Sequence, residues 1–123
     1  MAITSELRDD GIRVITMDHP PVNALTVQGW FDVADALNEA GKDLATKVVI
    51  LRAEGKGFNA GVDIKEMQHS TGFEALIGAN KGCYAAFKAV YECAVPVIAA
   101  VNGFCVGGGV GLVGSADIVV AVK

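Results

Sequence analysis

The chain of 123 residues reads as an α/β protein with a largely parallel sheet. Three observations predict this. Strand-like runs of β-branched and aliphatic residues are separated by stretches of helical period. One run, "TKVVILRA" (Thr46–Ala53), is apolar on both faces, as a central parallel strand requires. A glycine-rich stretch, "NGFCVGGGVGLVGSAD" (Asn102–Asp117), joins two further apolar runs, Val95–Val101 and Ile118–Val122.

The elements follow in order. "ITSELR" and "IRVITM" alternate apolar and polar around Asp10-Gly11, which predicts a β-hairpin of Ile3–Arg8 and Ile12–Met17. Asp18–Leu25 is irregular, because Pro20 and Pro21 remove backbone donors and fix φ. His19 is read as a loop residue beside them. Thr26 caps a helix running to about Ala40, with Trp30, Ala34 and Leu37 on one face and Gly41 ending it. After the Thr46–Ala53 strand, Glu54–Gly61 is loop. Asp63 to Glu66 has capping-box spacing and starts a short helix or turn. A long helix spans Phe73 to about Tyr91, with Leu76, Cys83, Phe87 and Val90 on its apolar stripe. Pro96 opens a strand at Val97–Val101. A turn at Asn102–Val106 leads to a short helix at Gly107–Gly114, and Asp117 fixes the turn into the last strand.

Composition narrows the function classes. Net charge is −4 and the pI about 5.0, with no Lys/Arg cluster, which argues against nucleic-acid or anionic-membrane partners. The chain is 52% hydrophobic with mean hydropathy +0.43, which points to surfaces buried against something outside it. No apolar run is long enough for a transmembrane helix, and "MAITSELRDDG" does not read as a signal peptide. Cys83, Cys93 and Cys105 lack metal-ligand spacing and read as reduced thiols of a cytoplasmic protein. Two histidines and three scattered cysteines supply no metal constellation.

The glycines carry the functional signal. "GVGLVG" (Gly109–Gly114) matches the dinucleotide fingerprint G-x-G-x-x-G, but five residues separate it from the preceding strand. A crossover helix of about 10–12 residues does not fit after it. The better geometry puts Gly107–Gly109 at a helix N-terminus, where the first N–H groups lack intrahelical partners. Tight packing alone is the competing explanation. "GFNAGVDIKEM" (Gly57–Met67) has the same logic: strand, glycine loop, new helix turn. Two such loops can aim two backbone N–H groups at one point, which is an oxyanion hole.

These segments, with "PPVNAL" (Pro20–Leu25) and "VPVIAAVNG" (Val95–Gly103), resemble the crotonase (enoyl-CoA hydratase/isomerase) family. "GFNAGVDIKEMQ", "YECAVPV" and "NGFCVGGGVGLVG" are most similar to an actinobacterial branch linked to steroid-ring degradation. The resemblance implies the N-terminal portion of a crotonase-like ββα spiral. It makes the Val62 and Gly108 N–H groups the oxyanion hole for a coenzyme A thioester. It implies a substrate-binding set of Ala24, Asn59, Ala60, Gly61, Asp63, Ile64, Lys65, Met67, Gly107 and Gly111. Within that set the Asn59–Ile64 loop meets the adenine end of CoA, and Lys65 a CoA phosphate. The resemblance also implies that Ala24 and Leu25 border the entrance and that Met67 lines the acyl pocket, with apolar packing as the competing reading of Met67. Asp63 is read first as a helix cap.

Two departures limit the reaction. Hydratases that this chain resembles carry a glutamate where Gly111 stands, and glycine has no side chain to move a proton. Ring opening of a β-keto acyl-CoA by water, or isomerase/lyase chemistry, is therefore favoured over simple hydration. Family members are also much longer. Residues 1–123 are expected to be the first part of an acyl-CoA-binding domain, inactive alone, with the second carboxylate beyond Lys123. Glu66, His69 and Glu74 are the acid–base candidates within the chain. The resemblance further implies a homotrimer or dimer of trimers, and no cofactor beyond the CoA of the substrate. Ordinary hydration, a non-catalytic CoA-binding subunit and a nicotinamide-binding module are the alternatives.

Overall fold

A computed structural model describes residues 2–123. Strands β1 (Ile3–Leu7) and β2 (Ile12–Met17) form the expected antiparallel hairpin, closed by the Arg8 N–H donating to the Ile12 carbonyl. Helix α1 covers Val27–Lys42, and β3 covers Val48–Ala53. Then come β4 (Gly57–Asn59), α2 (Ile64–His69), α3 (Glu74–Tyr91) and β5 (Val97–Val101). The chain finishes with β6 (Phe104–Cys105), α4 (Gly108–Ser115) and β7 (Ile118–Ala121).

The main sheet has the order β1-β2-β3-β5-β7, and every pair after the hairpin is parallel. Ile50 stands opposite both Val14 and Ile98, which centres β3 in the sheet. Strand β3 is not equally buried on its two faces: Val49, Leu51 and Ala53 are buried, while Val48, Ile50 and Arg52 are half-buried. The core lies between the first face and α1, where Trp30, Val33 and Leu37 are fully buried.

Three expectations need correction. Helix α1 does not end at Gly41; it runs on to Lys42 and closes at Asp43, whose N–H reaches back to the Glu39 and Ala40 carbonyls. Gly41 serves packing, since a Cβ there would lie 3.3 Å from the Ala94 nitrogen. Second, the buried stripe of α3 is Ala79, Gly82, Ala86, Ala89 and Val90. Leu76 is 62% exposed, and Cys83 and Phe87 lie half-buried at the margin. Small residues win the stripe because α3 approaches α1 closely: a Cβ on Gly82 would lie 3.0 Å from Trp30 Cβ, and one on Gly78 would lie 3.2 Å from Val27 Cγ1. Third, the loop Glu54–Gly61 and the turn Asn102–Val106 contain β4 and β6, which pair in parallel as a second, two-stranded sheet.

That small sheet positions the rest. It ties the segment entering α2 to the segment entering α4, although 45 residues lie between Asn59 and its partner Cys105. Asp117 does what its place suggested: its Oδ2 accepts from the Val97 N–H at 2.8 Å, and its own N–H donates to the Val97 carbonyl. Strand β7 is exposed along its whole length. No helix among the described residues is long and apolar enough to cross a membrane.

Candidate active site

The first wall is built by the turn after β4. Gly61 has φ +91°, a conformation L side chains rarely adopt. The fully buried Asn59 holds it there, its Oδ1 accepting from the Gly61 N–H at 2.7 Å. Leu25 then clamps the strand edge: its N–H donates to the Gly61 carbonyl, and its carbonyl accepts from the Asp63 N–H, both at 2.9 Å. The intervening Val62 N–H donates to no other group among the described residues. Asp63 caps α2, accepting from the Lys65 N–H at 2.9 Å and the Glu66 N–H at 3.4 Å.

The second wall is the turn after β6. The Val106 N–H donates to the Asn59 carbonyl at 3.0 Å, so one residue anchors both turns. Gly107 takes φ +58° and ψ −127° at the N-cap of α4. The Gly109 and Val110 N–H groups are taken up by the Val106 and Gly107 carbonyls, whereas the Gly108 N–H donates to nothing among the described residues. The two turns touch: a Cβ on Gly61 would stand 3.5 Å from the Gly108 nitrogen and 3.7 Å from Gly107 Cα. Each of Gly108 and Gly109 is also required for space, against Trp30 Cη2 at 2.8 Å and Asn59 Cβ at 2.9 Å respectively.

Beside Val62 opens a pocket of about 380 Å³. Six expected site residues line it: Ala24, Ala60, Val62, Asp63, Ile64 and Lys65. His19, Pro20, Pro21 and Val22, from the irregular Asp18–Leu25 segment, complete it. Their placement depends on Asn23, which sequence reasoning missed altogether. Asn23 is buried at φ +57°, accepts from the His19 N–H at 2.7 Å and donates to the Glu54 and Gly57 carbonyls. The signal was there: asparagine is among the few residues that tolerate this backbone region, and it follows two prolines. His19 Nε2 lies 3.9 Å from Asp63 Oδ2 across the pocket. The Lys65 residue is exposed, leaving its ammonium free to reach an anion at the rim.

Other candidates fall elsewhere. Asn59 has no surface for a ligand, so its expected contact with CoA is replaced by a supporting role. Gly111 offers no open surface on its side-chain position either, because a Cβ there would run into the Phe87 ring. Met67 is half-buried on α2, outside the pocket lining. Glu66, His69 and Glu74 do gather, but in a separate cleft that shares no residue with the pocket. Glu66 Oε1 accepts from the Val27 N–H at 2.8 Å and so holds the start of α1, not its own helix cap. His69 Nδ1 lies 2.6 Å from the Lys65 carbonyl. Burial raises the thiol pKa of Cys83 and of Cys105 above the ordinary value of 9.0, keeping both protonated and poorly nucleophilic.

Residues 8–123 match the family model for enoyl-CoA hydratase/isomerase. The chain is 67% identical over 121 residues to a Mycobacterium tuberculosis protein, "(7aS)-7a-methyl-1,5-dioxo-2,3,5,6,7,7a-hexahydro-1H-indene-carboxyl-CoA hydrolase", covering 98% of this chain and 49% of that one. A Rhodococcus jostii hydrolase of the same name is 65% identical, with 98% and 47% covered. The crystal structure of an enoyl-CoA hydratase/carnithine racemase from Magnetospirillum magneticum superposes with a TM-score of 0.88 at 33% identity, covering 98% of this chain and 46% of that one. The chain thus spans about half the length of the relatives it matches.

Proposed function

The chain belongs to the enoyl-CoA hydratase/isomerase family, and on that premise we propose that the complete protein opens a ring of a β-keto acyl-CoA with water. The Val62 and Gly108 N–H groups form the oxyanion hole that stabilises the thioester enolate. The observation that carries this reading is the contact of the two turns, each with one N–H left without a partner among the described residues. Unpartnered donors at a helix start are suited to developing negative charge. Each such donor contributes about 2.7–4 kcal/mol to the transition state.

The pocket beside Val62 takes the CoA portion. Its apolar wall of Pro20, Pro21, Val22 and Ile64 suits the adenine, and Lys65 meets a phosphate at the rim. The reaction follows from where the charge goes. Water adds to the ring ketone carbon β to the thioester, and the bond from that carbon to Cα breaks. The bonding pair spreads onto the thioester oxygen at the hole. The ketone carbon becomes a carboxylic acid, and Cα takes up a proton. One water is consumed and nothing is oxidised or reduced, so CoA arrives as part of the substrate and no further cofactor is needed.

Two findings support ring opening over enoyl hydration. Position 111 carries no acid–base side chain, and the M. tuberculosis and R. jostii relatives are hydrolases of a bicyclic dioxo carboxyl-CoA. The test is turnover by the complete protein of a cyclic β-keto acyl-CoA alongside crotonyl-CoA. Release of the ring-opened acid with little loss of the enoyl absorbance is expected. Fast crotonyl-CoA hydration with the cyclic thioester untouched would overturn the assignment.

A further inference from the structure

We propose that Phe87 is a positioning residue for the Gly108 N–H: its ring fills the volume a side chain at position 111 would need and locks the start of α4. This rests on the acyl-CoA reading above. Four of the eight residues of α4 are glycine, so the helix has little stiffness of its own. Packing must fix the direction of its first N–H. Positions 108 and 111 lie on one face, with Cβ positions about 5–6 Å apart. On that face a Cβ added to Gly108 would lie 2.8 Å from Cη2 and Cζ2 of the Trp30 indole, and one added to Gly111 would run into Cζ, Cε1 and Cε2 of the Phe87 ring.

The two rings brace one another edge to face, with centroids 5.9 Å apart and planes at 83°. Trp30 is wholly buried and backed by Gly82 of α3, the helix that also carries Phe87. Thus α3 presses on α4 at two points, through Trp30 at Gly108 and directly at Gly111. A ring at this distance leaves no room for even a methyl group at 111. The wall one turn from the Gly108 N–H is consequently hydrocarbon, and a carboxylate cannot be added at 111 while Phe87 stands.

The test uses the complete protein and its affinities for acetoacetyl-CoA and free CoA, measured by calorimetry. Acetoacetyl-CoA reads the hole; free CoA, lacking the thioester carbonyl, reads only the outer pocket. Gly111→Ala is expected to weaken acetoacetyl-CoA about tenfold or more, the scale of an overpacked contact, with free CoA held within about twofold. Phe87→Ala, which removes the ring that holds α4, is likewise expected to weaken acetoacetyl-CoA about fivefold or more with free CoA held within about twofold, while Phe87→Leu stays within about threefold of the parent. Should Gly111→Ala fail to fold, Phe87→Ala still decides: selective loss of acetoacetyl-CoA binding supports the inference, and binding of both ligands at the parent's affinity overturns it. Unchanged acetoacetyl-CoA binding in Gly111→Ala, or an equal loss of both ligands in Phe87→Ala, also overturns it. A parent protein that binds neither ligand overturns the acyl-CoA reading instead.

Discussion

At Val62 the side chain and the backbone make separable contributions. The proposed donor is the main-chain N–H, so Val62→Ala should leave kcat for the ring-opening reaction within about threefold, whereas Val62→Pro, which removes the donor, should lower it by about 10²–10³-fold. Steady-state kinetics with melting curves on both variants check this. Asn59 acts one step behind. Asn59→Ala removes the acceptor for the Gly61 N–H inside a fully buried site. A loss of about 1–3 kcal/mol in urea unfolding is expected, with weaker acetoacetyl-CoA binding. The glycine motifs made the two turns legible from the sequence, because repeated glycine before a helix start has few uses. Which glycines need φ freedom and which need space was not legible. Gly61 and Gly107 have positive φ, while Gly108 and Gly111 face rings supplied by residues far away in the chain.

Elements show where sequence pattern stops being informative. The periodicity of α3 located the helix but chose its larger apolar residues for the core. The buried face is small because α1 lies close, and inter-helix distance is a tertiary quantity absent from a single helix's pattern. Gly82→Val should therefore destabilise the protein by about 1–3 kcal/mol by forcing a branched side chain against Trp30, read as a lower melting temperature. The end of α1 carries a pH signature. Asp43 accepts from the Ala45 N–H and also from Arg13 and Thr46, which hold its carboxyl below its ordinary value of 3.8. A carboxylate depressed in the folded state adds stability above its unfolded value, and that stability is lost as pH falls through the folded value. Denaturant midpoints of Asp43→Asn should accordingly lose less than the parent's over the acid limb, while lying below the parent's near neutrality. Equal curves would remove Asp43 from the account of acid stability.

Across the whole molecule, the parallel sheet, the hairpin and the order of elements followed from alternation and punctuation in the chain. The β4–β6 pairing did not, because strands of three and two residues carry too little pattern to be distinguished from loop. Yet that pairing is what brings two distant glycine segments together. The high hydropathy has a visible location as well. Large apolar residues are exposed along β7 and, on α3, at Leu76, Ile77, Tyr84 and Tyr91. In the proposed reaction the Val62 and Gly108 N–H groups polarise a thioester carbonyl. Infrared difference spectroscopy of the complete protein with an acyl-CoA carrying ¹³C at the thioester carbon measures this directly. A bound carbonyl stretch shifted to lower frequency than in water, and shifted back by Val62→Pro, is the expected result; a bound stretch at the water value would contradict it.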